Sequence, residues 1–86
     1  MRLDKFLRVS RIIKRRTVAK ELVDIGRAEI NGRLAKPSSE VKAGDILTLK
    51  LKDVLLAVKV NFVTDHIKAN ESESIYTVIS EERNVQ

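Results

Sequence analysis

Cysteine and tryptophan are absent from these 86 residues, and the aromatics number only three: Phe6, Phe62 and Tyr76. Without cysteine there is no disulfide and no thiolate metal site, and a reducing cytoplasm is a compatible setting. A single histidine, His66, cannot make a metal-ligand set. Three aromatics cannot supply the stacking platforms on which sequence-tolerant single-strand binders lay successive bases. Any nucleic acid held by this chain is therefore gripped through backbone charge and shape, which favours folded RNA or duplex. The three glycines, Gly26, Gly32 and Gly44, stand apart from one another, so no phosphate-cradling glycine loop exists. Ser38, Ser39, Ser72 and Ser74 lack a histidine or lysine at a spacing that would activate a hydroxyl. Neither an enzyme nor a cofactor is expected. No window approaches the ~20 apolar residues of a membrane span, and the charged start is not followed by an apolar run of signal-peptide length. The chain reads as soluble and cytoplasmic.

What is present is charge, unevenly placed. Residues 1–20 hold eight bases (Arg2, Lys5, Arg8, Arg11, Lys14, Arg15, Arg16, Lys20) against one acid, Asp4, a local balance of +7. Residues 21–86 hold nine bases and eleven acids, or −2, so the whole excess of +5 belongs to the first twenty residues. Such a patch attracts polyanions, because each neutralised phosphate releases condensed counterions. Arginine outnumbers lysine in it, which suits phosphate forks and guanine edges. If residues 8–16 are broadly helical, Arg8, Arg11 and Arg15 share a face, with Arg16 and Lys20 paired nearby at i, i+4. Asp4, the lone carboxylate, either complements a helix end, orients Arg2 or Arg8 by an ion pair, or accepts from a nucleobase or ribose.

The hydrophobic pattern supplies the frame. Leu3, Phe6 and Leu7 fall at i, i+3, i+4 and predict a short helix over 2–9. Ser10 interrupts it, capping a turn or a second helical segment anchored by Ile12 and Ile13. Thr17 suggests an N-cap for a helix over 18–25, with Val18, Leu22 and Ile25 recurring at i, i+4, i+7 and Gly26 as its left-handed cap. Asn31-Gly32 is a strong hairpin signal between strands at 28–30 and 33–36. Leu47, Leu49 and Leu51 share one face of the next strand, and Val54, Leu56, Val58, Val60 and Phe62 one face of its partner. The middle of the chain is thus an antiparallel sheet with one buried face. The segment from Asp65 carries five acids and two bases. It suits a short helix or a last strand at the sheet edge, with residues 81–86 frayed.

Arg2-Leu3-Asp4-Lys5-Phe6-Leu7, then Arg16, Ala19, Leu22, Val23, Gly26 and Ile30-Asn31-Gly32, then Lys36-Pro37-Ser38, Val41, Gly44-Asp45 and Leu47 come in the order and at the gaps of a known motif. Over residues 2 to about 50 the chain resembles the alpha-L, or S4-like, RNA-binding domain. Arg15 stands where that pattern often has a small polar residue. With no appended catalytic domain, and with the acidic YTVISEE tail, it is similar to the stand-alone ribosome-associated quality-control protein P group. The related heat-shock ribosome-recycling protein continues into a long basic extension. The resemblance implies binding to obstructed large ribosomal subunits, with contacts to large-subunit rRNA and peptidyl-tRNA. It also implies support for alanine tailing by a quality-control elongation factor.

The expectation is an α+β fold, an N-terminal helical alpha-L motif packed on a small antiparallel sheet. Residues 1–64 would form the S4-like domain and 65–86 an acidic extension on or near the sheet. The expected RNA-binding residues are Arg2, Asp4, Lys5, Arg11, Lys14, Arg15, Arg16 and Lys20, with Arg16 the decisive contact, in a monomer that needs no membrane. The alternatives are a heat-shock-type recycling factor and a DNA-binding regulator. The helix over 18–25 presents only Lys20, Glu21 and Asp24 to a major groove, which counts against DNA.

Overall fold

The computed structural model describes residues 1–65 and 75–83, with Arg16 described by its backbone alone. His66, Ser72 and Ser74 lie outside the described residues. Two helices, α1 (Leu3–Val9) and α2 (Arg16–Asp24), precede five strands: β1 (Ala28–Ile30), β2 (Arg33–Leu34), β3 (Ile46–Lys50), β4 (Val54–Val60) and β5 (Tyr76–Arg83). The strands form one antiparallel sheet in the order β2-β1-β3-β4-β5. The fold is α+β. Among the described residues, no helix is long and apolar enough to cross a membrane.

A single core joins the layers. Leu3, Phe6 and Leu7 of α1 and Ala19 of α2 are fully buried, together with Leu47, Leu49, Val58 and Val60 of the sheet and with Val41 and Ile75. The apolar stripe of α2 is Ala19, Leu22 and Val23; Val18 and Ile25, expected on it, are 46% and 61% exposed. A small residue at the centre of that face lets α2 lie close, and Ile25 is already the helix's C-cap. The helix also starts earlier than the threonine signal suggests. Arg15, in extended backbone, is the N-cap, and Thr17 makes no capping bond. It stops where expected. Gly26, at φ +80°, donates to the Val23 carbonyl and Arg27 donates to that of Leu22, the pairing of a Schellman end.

Both residues of the Asn31-Gly32 turn have positive φ, as a type I′ hairpin requires. The asparagine does more than turn. Its Oδ1 accepts from the Ile46 amide at 2.9 Å and its Nδ2 donates to Asp45 Oδ1 at 3.1 Å. Asp45, nearly buried, also accepts from the Lys42 amide through Oδ2, so one carboxylate ties two turns to the sheet. The return strand is shorter than expected. After Leu34 the chain bends away, with Ser39 Oγ accepting from the Lys36 amide at 2.8 Å.

Strand β4 ends at Val60, so alternation no longer governs Phe62, which is 42% exposed instead of facing the core. Residues 81–83, expected to fray, belong to β5, where Glu81, Glu82 and Arg83 pair with Leu56, Leu55 and Val54. Residues 84–86 lie outside the described part.

Candidate nucleic-acid interface

The burial of Leu3, Phe6 and Leu7 turns Arg2, Lys5 and Arg8 outward, and these three with Asp4 line a shallow pocket of about 200 Å³. Asp4 is its pivot. The Arg2 guanidinium grips it with two bonds, Nε to Oδ1 at 3.1 Å and Nη2 to Oδ2 at 3.2 Å, while the Lys5 amide donates to Oδ1 at 2.9 Å. The Asp4 side chain is 11% exposed. Both its oxygens are engaged, so it orients Arg2 and not Arg8. Backbone carbonyls close the rest of this helix end: Leu3 donates to Ser39 at 2.8 Å and Asp4 to Pro37 at 3.1 Å. Lys5 Nζ reaches Asp65 at 2.8 Å, an exposed pair of small energetic weight.

Residues 10–15 are a turn, which overturns the shared helical face expected for Arg8, Arg11 and Arg15. The cause is Ser10. Its hydroxyl donates to the Leu7 carbonyl at 3.2 Å and accepts from the Ile12 amide at 3.4 Å, offering the backbone an alternative to helix. Ile13 then drops into the core. Arg11 takes the left-handed conformation, φ 63°, and donates its amide to the Arg8 carbonyl at 3.1 Å. This is the position after a helix that glycine normally fills.

An arginine in that position is strained by roughly 1 kcal/mol, a cost that suits a side chain needed at that point. Arg11→Gly is therefore expected to raise stability by up to about 1 kcal/mol in a denaturant titration. In an RNA-binding assay the same variant should bind less tightly.

The start of α2 is electrostatically unfavourable as it stands. Lys14 and Arg15 stand before a helix whose first turn holds Arg16, no acid and no side-chain cap. Cations at the positive end of a helix dipole cost about 0.3–1 kcal/mol each when exposed, and an anion placed there reverses the sign. Lys20 lies one turn on, exposed, in the i, i+4 relation to Arg16.

Among the described residues there are three ion pairs: the N-terminal ammonium with Glu40, Arg2 with Asp4, and Lys5 with Asp65. Arg8, Arg11, Lys14, Arg15 and Lys20 are all exposed and take part in none of them. The structure thus brings Arg2, Asp4, Lys5 and Arg8 together and sets Arg11, Lys14 and Arg15 in the turn that follows. Arg8 is the residue missing from the sequence-based set. Its place three residues after Lys5, on the outward side of α1, is the signal that could have found it.

A short helical pair rich in basic residues and laid on an antiparallel sheet is the framework of an S4 domain. The S4 domain family model matches residues 1–47, and the chain belongs to that family. It is 54% identical over 83 residues to the RQC P-site tRNA stabilizing factor of Bacillus subtilis (strain 168), covering 96% of each chain. To the protein of the same name from Streptococcus pneumoniae it is 51% identical, covering 96% of this chain and 94% of that one. Among solved structures, a trimeric structure of Vibrio cholerae heat shock protein 15 superposes with a TM-score of 0.83 at 32% identity. That match covers 93% of this chain and 82% of the other.

Proposed function

We propose that this chain binds folded RNA on the large ribosomal subunit through Arg2, Lys5, Arg8, Arg11, Lys14, Arg15, Arg16 and Lys20, with Asp4 orienting Arg2. It steadies P-site tRNA in ribosome-associated quality control. In this reading it contacts large-subunit rRNA and peptidyl-tRNA on obstructed subunits. It supports alanine tailing by the quality-control elongation factor, and works in the cytoplasm as a monomeric binding protein without a catalytic group. The observation that carries the reading is the set of exposed cations Arg8, Arg11, Lys14, Arg15 and Lys20, none of them in an ion pair among the described residues, on a chain whose relatives are named for stabilizing P-site tRNA.

The heat-shock-type reading has less support, since identity to the tRNA-stabilizing relatives is well above identity to heat shock protein 15. Duplex DNA fits poorly. The exposed side of α2 mixes Val18 and Lys20 with Glu21 and Asp24, a poor reader of a major groove.

Co-sedimentation with purified large subunits carrying peptidyl-tRNA, across a salt series, tests the proposal. If about five phosphates are neutralised, the logarithm of the association constant falls with log salt at a slope of about −3.5 to −4.5. A slope near zero, or equal competition by duplex DNA at physiological salt, would refute it.

A further inference from the structure

A second basic feature lies at the other end of α2 from the basic turn. A groove of about 640 Å³ opens where α2 finishes, between Ile25–Arg27, the β3–β4 turn and the end of β5. It flanks the start of β4, whereas Lys5 meets Asp65 beyond that strand's end. The strand between spans roughly 20 Å. Arg27, Lys50, Lys52 and Arg83 line the groove with Asp53 and Glu82, a local excess of two positive charges. None of these six takes part in an ion pair among the described residues, although both signs border the same space. Apolar side chains lie among them: Ile25 is 61% exposed, Leu55 is 37% exposed, and Leu51 and Val54 are half-buried.

We infer that this groove docks an acidic protein segment carrying at least one bulky apolar side chain. This goes beyond the RNA reading and does not depend on it. Exposed Ile25 and Leu55 offer an apolar seat, which a phosphate backbone does not use and a leucine or phenylalanine does. Among the described residues no aromatic side chain lines the groove, so they offer bases nothing to stack on. Asp53 and Glu82 would repel a continuous row of phosphates, yet can accept from peptide amides. The four bases select for acid at the rim, where charge sets partner choice and encounter rate.

The test titrates the isotope-labelled full chain with a synthetic peptide of glutamates around two leucines, read by amide shifts. A second peptide has serines for the leucines, and a short RNA hairpin is the third probe. The leucine peptide is expected to give saturable shifts centred on residues 25–27, 50–55 and 82–83. Lys50→Glu with Lys52→Glu should weaken it about tenfold. Both lysines are exposed, so a thermal melt should match that of the parent, and affinity for the hairpin should change by less than about twofold. Equal binding of the serine peptide would reduce the effect to bulk charge and overturn the inference. So would shifts confined to the N-terminal cations, no shift at all, or displacement of the peptide from these residues by RNA.

Discussion

Exchanging Arg15 and Arg16 for glutamate is expected to abolish binding to large-subunit rRNA while leaving the protein at least as stable as before. Two effects of opposite sign follow from one location. Arg15 is the N-cap of α2 and Arg16 its first residue, in a first turn without acid or side-chain cap. Glutamate there complements the dipole where arginine opposes it, which adds about 0.5–2 kcal/mol to stability over the two sites. For RNA the change would remove the two proposed phosphate contacts and substitute repulsion. Affinity should drop by at least about a hundredfold and the salt slope should shrink by about two. Thermal melting and fluorescence titration of a labelled rRNA fragment read the two effects separately. A variant that loses RNA binding together with its melting transition would trace the loss to misfolding and sink the assignment. Unchanged ribosome association would sink it as well.

Phe6→Ala should have the largest effect on stability. Phe6, on the helix that carries Lys5 and Arg8, is fully buried in the core shared with the sheet. Truncating a buried phenylalanine costs about 3–5 kcal/mol. A domain of this length has on the order of 4–13 kcal/mol in all. The melting midpoint should fall by at least roughly 12 °C, and RNA binding should weaken with it, because Phe6 is the largest of the fully buried side chains that dock α1. An unfolding midpoint within a few degrees of the parent would mean that α1 is not docked as described.

Much of this architecture was legible because its signals are local. Leu3, Phe6 and Leu7 mark one face of a helix by spacing alone, and Gly26 and Asn31-Gly32 mark a helix end and a hairpin because few other residues accept positive φ. The exact face of α2 was not legible. Val18, Ala19, Leu22, Val23 and Ile25 fit two overlapping stripes, and only the proximity of α1 selects the one centred on small Ala19. The basic turn was visible as composition but not as conformation. Arginine at position 11 gives no hint that the backbone is left-handed there, and the decision is made by Ser10 drawing its hydroxyl onto the Leu7 carbonyl. Nothing in the order of residues shows the second groove. Arg27, Lys50, Lys52 and Arg83 are scattered over most of the chain and meet through sheet pairing. Their charge is masked in the sequence by the acids around them.

The most direct measurement is ultraviolet cross-linking of the chain to purified large ribosomal subunits, with the cross-linked peptides identified by mass spectrometry. Cross-links concentrated within residues 2–20, and above all in the turn from Arg11 to Arg16, are the expected result. A pattern that leaves this turn untouched and falls instead on the outer strands β4 and β5 would mean that the N-terminal cations do not meet RNA.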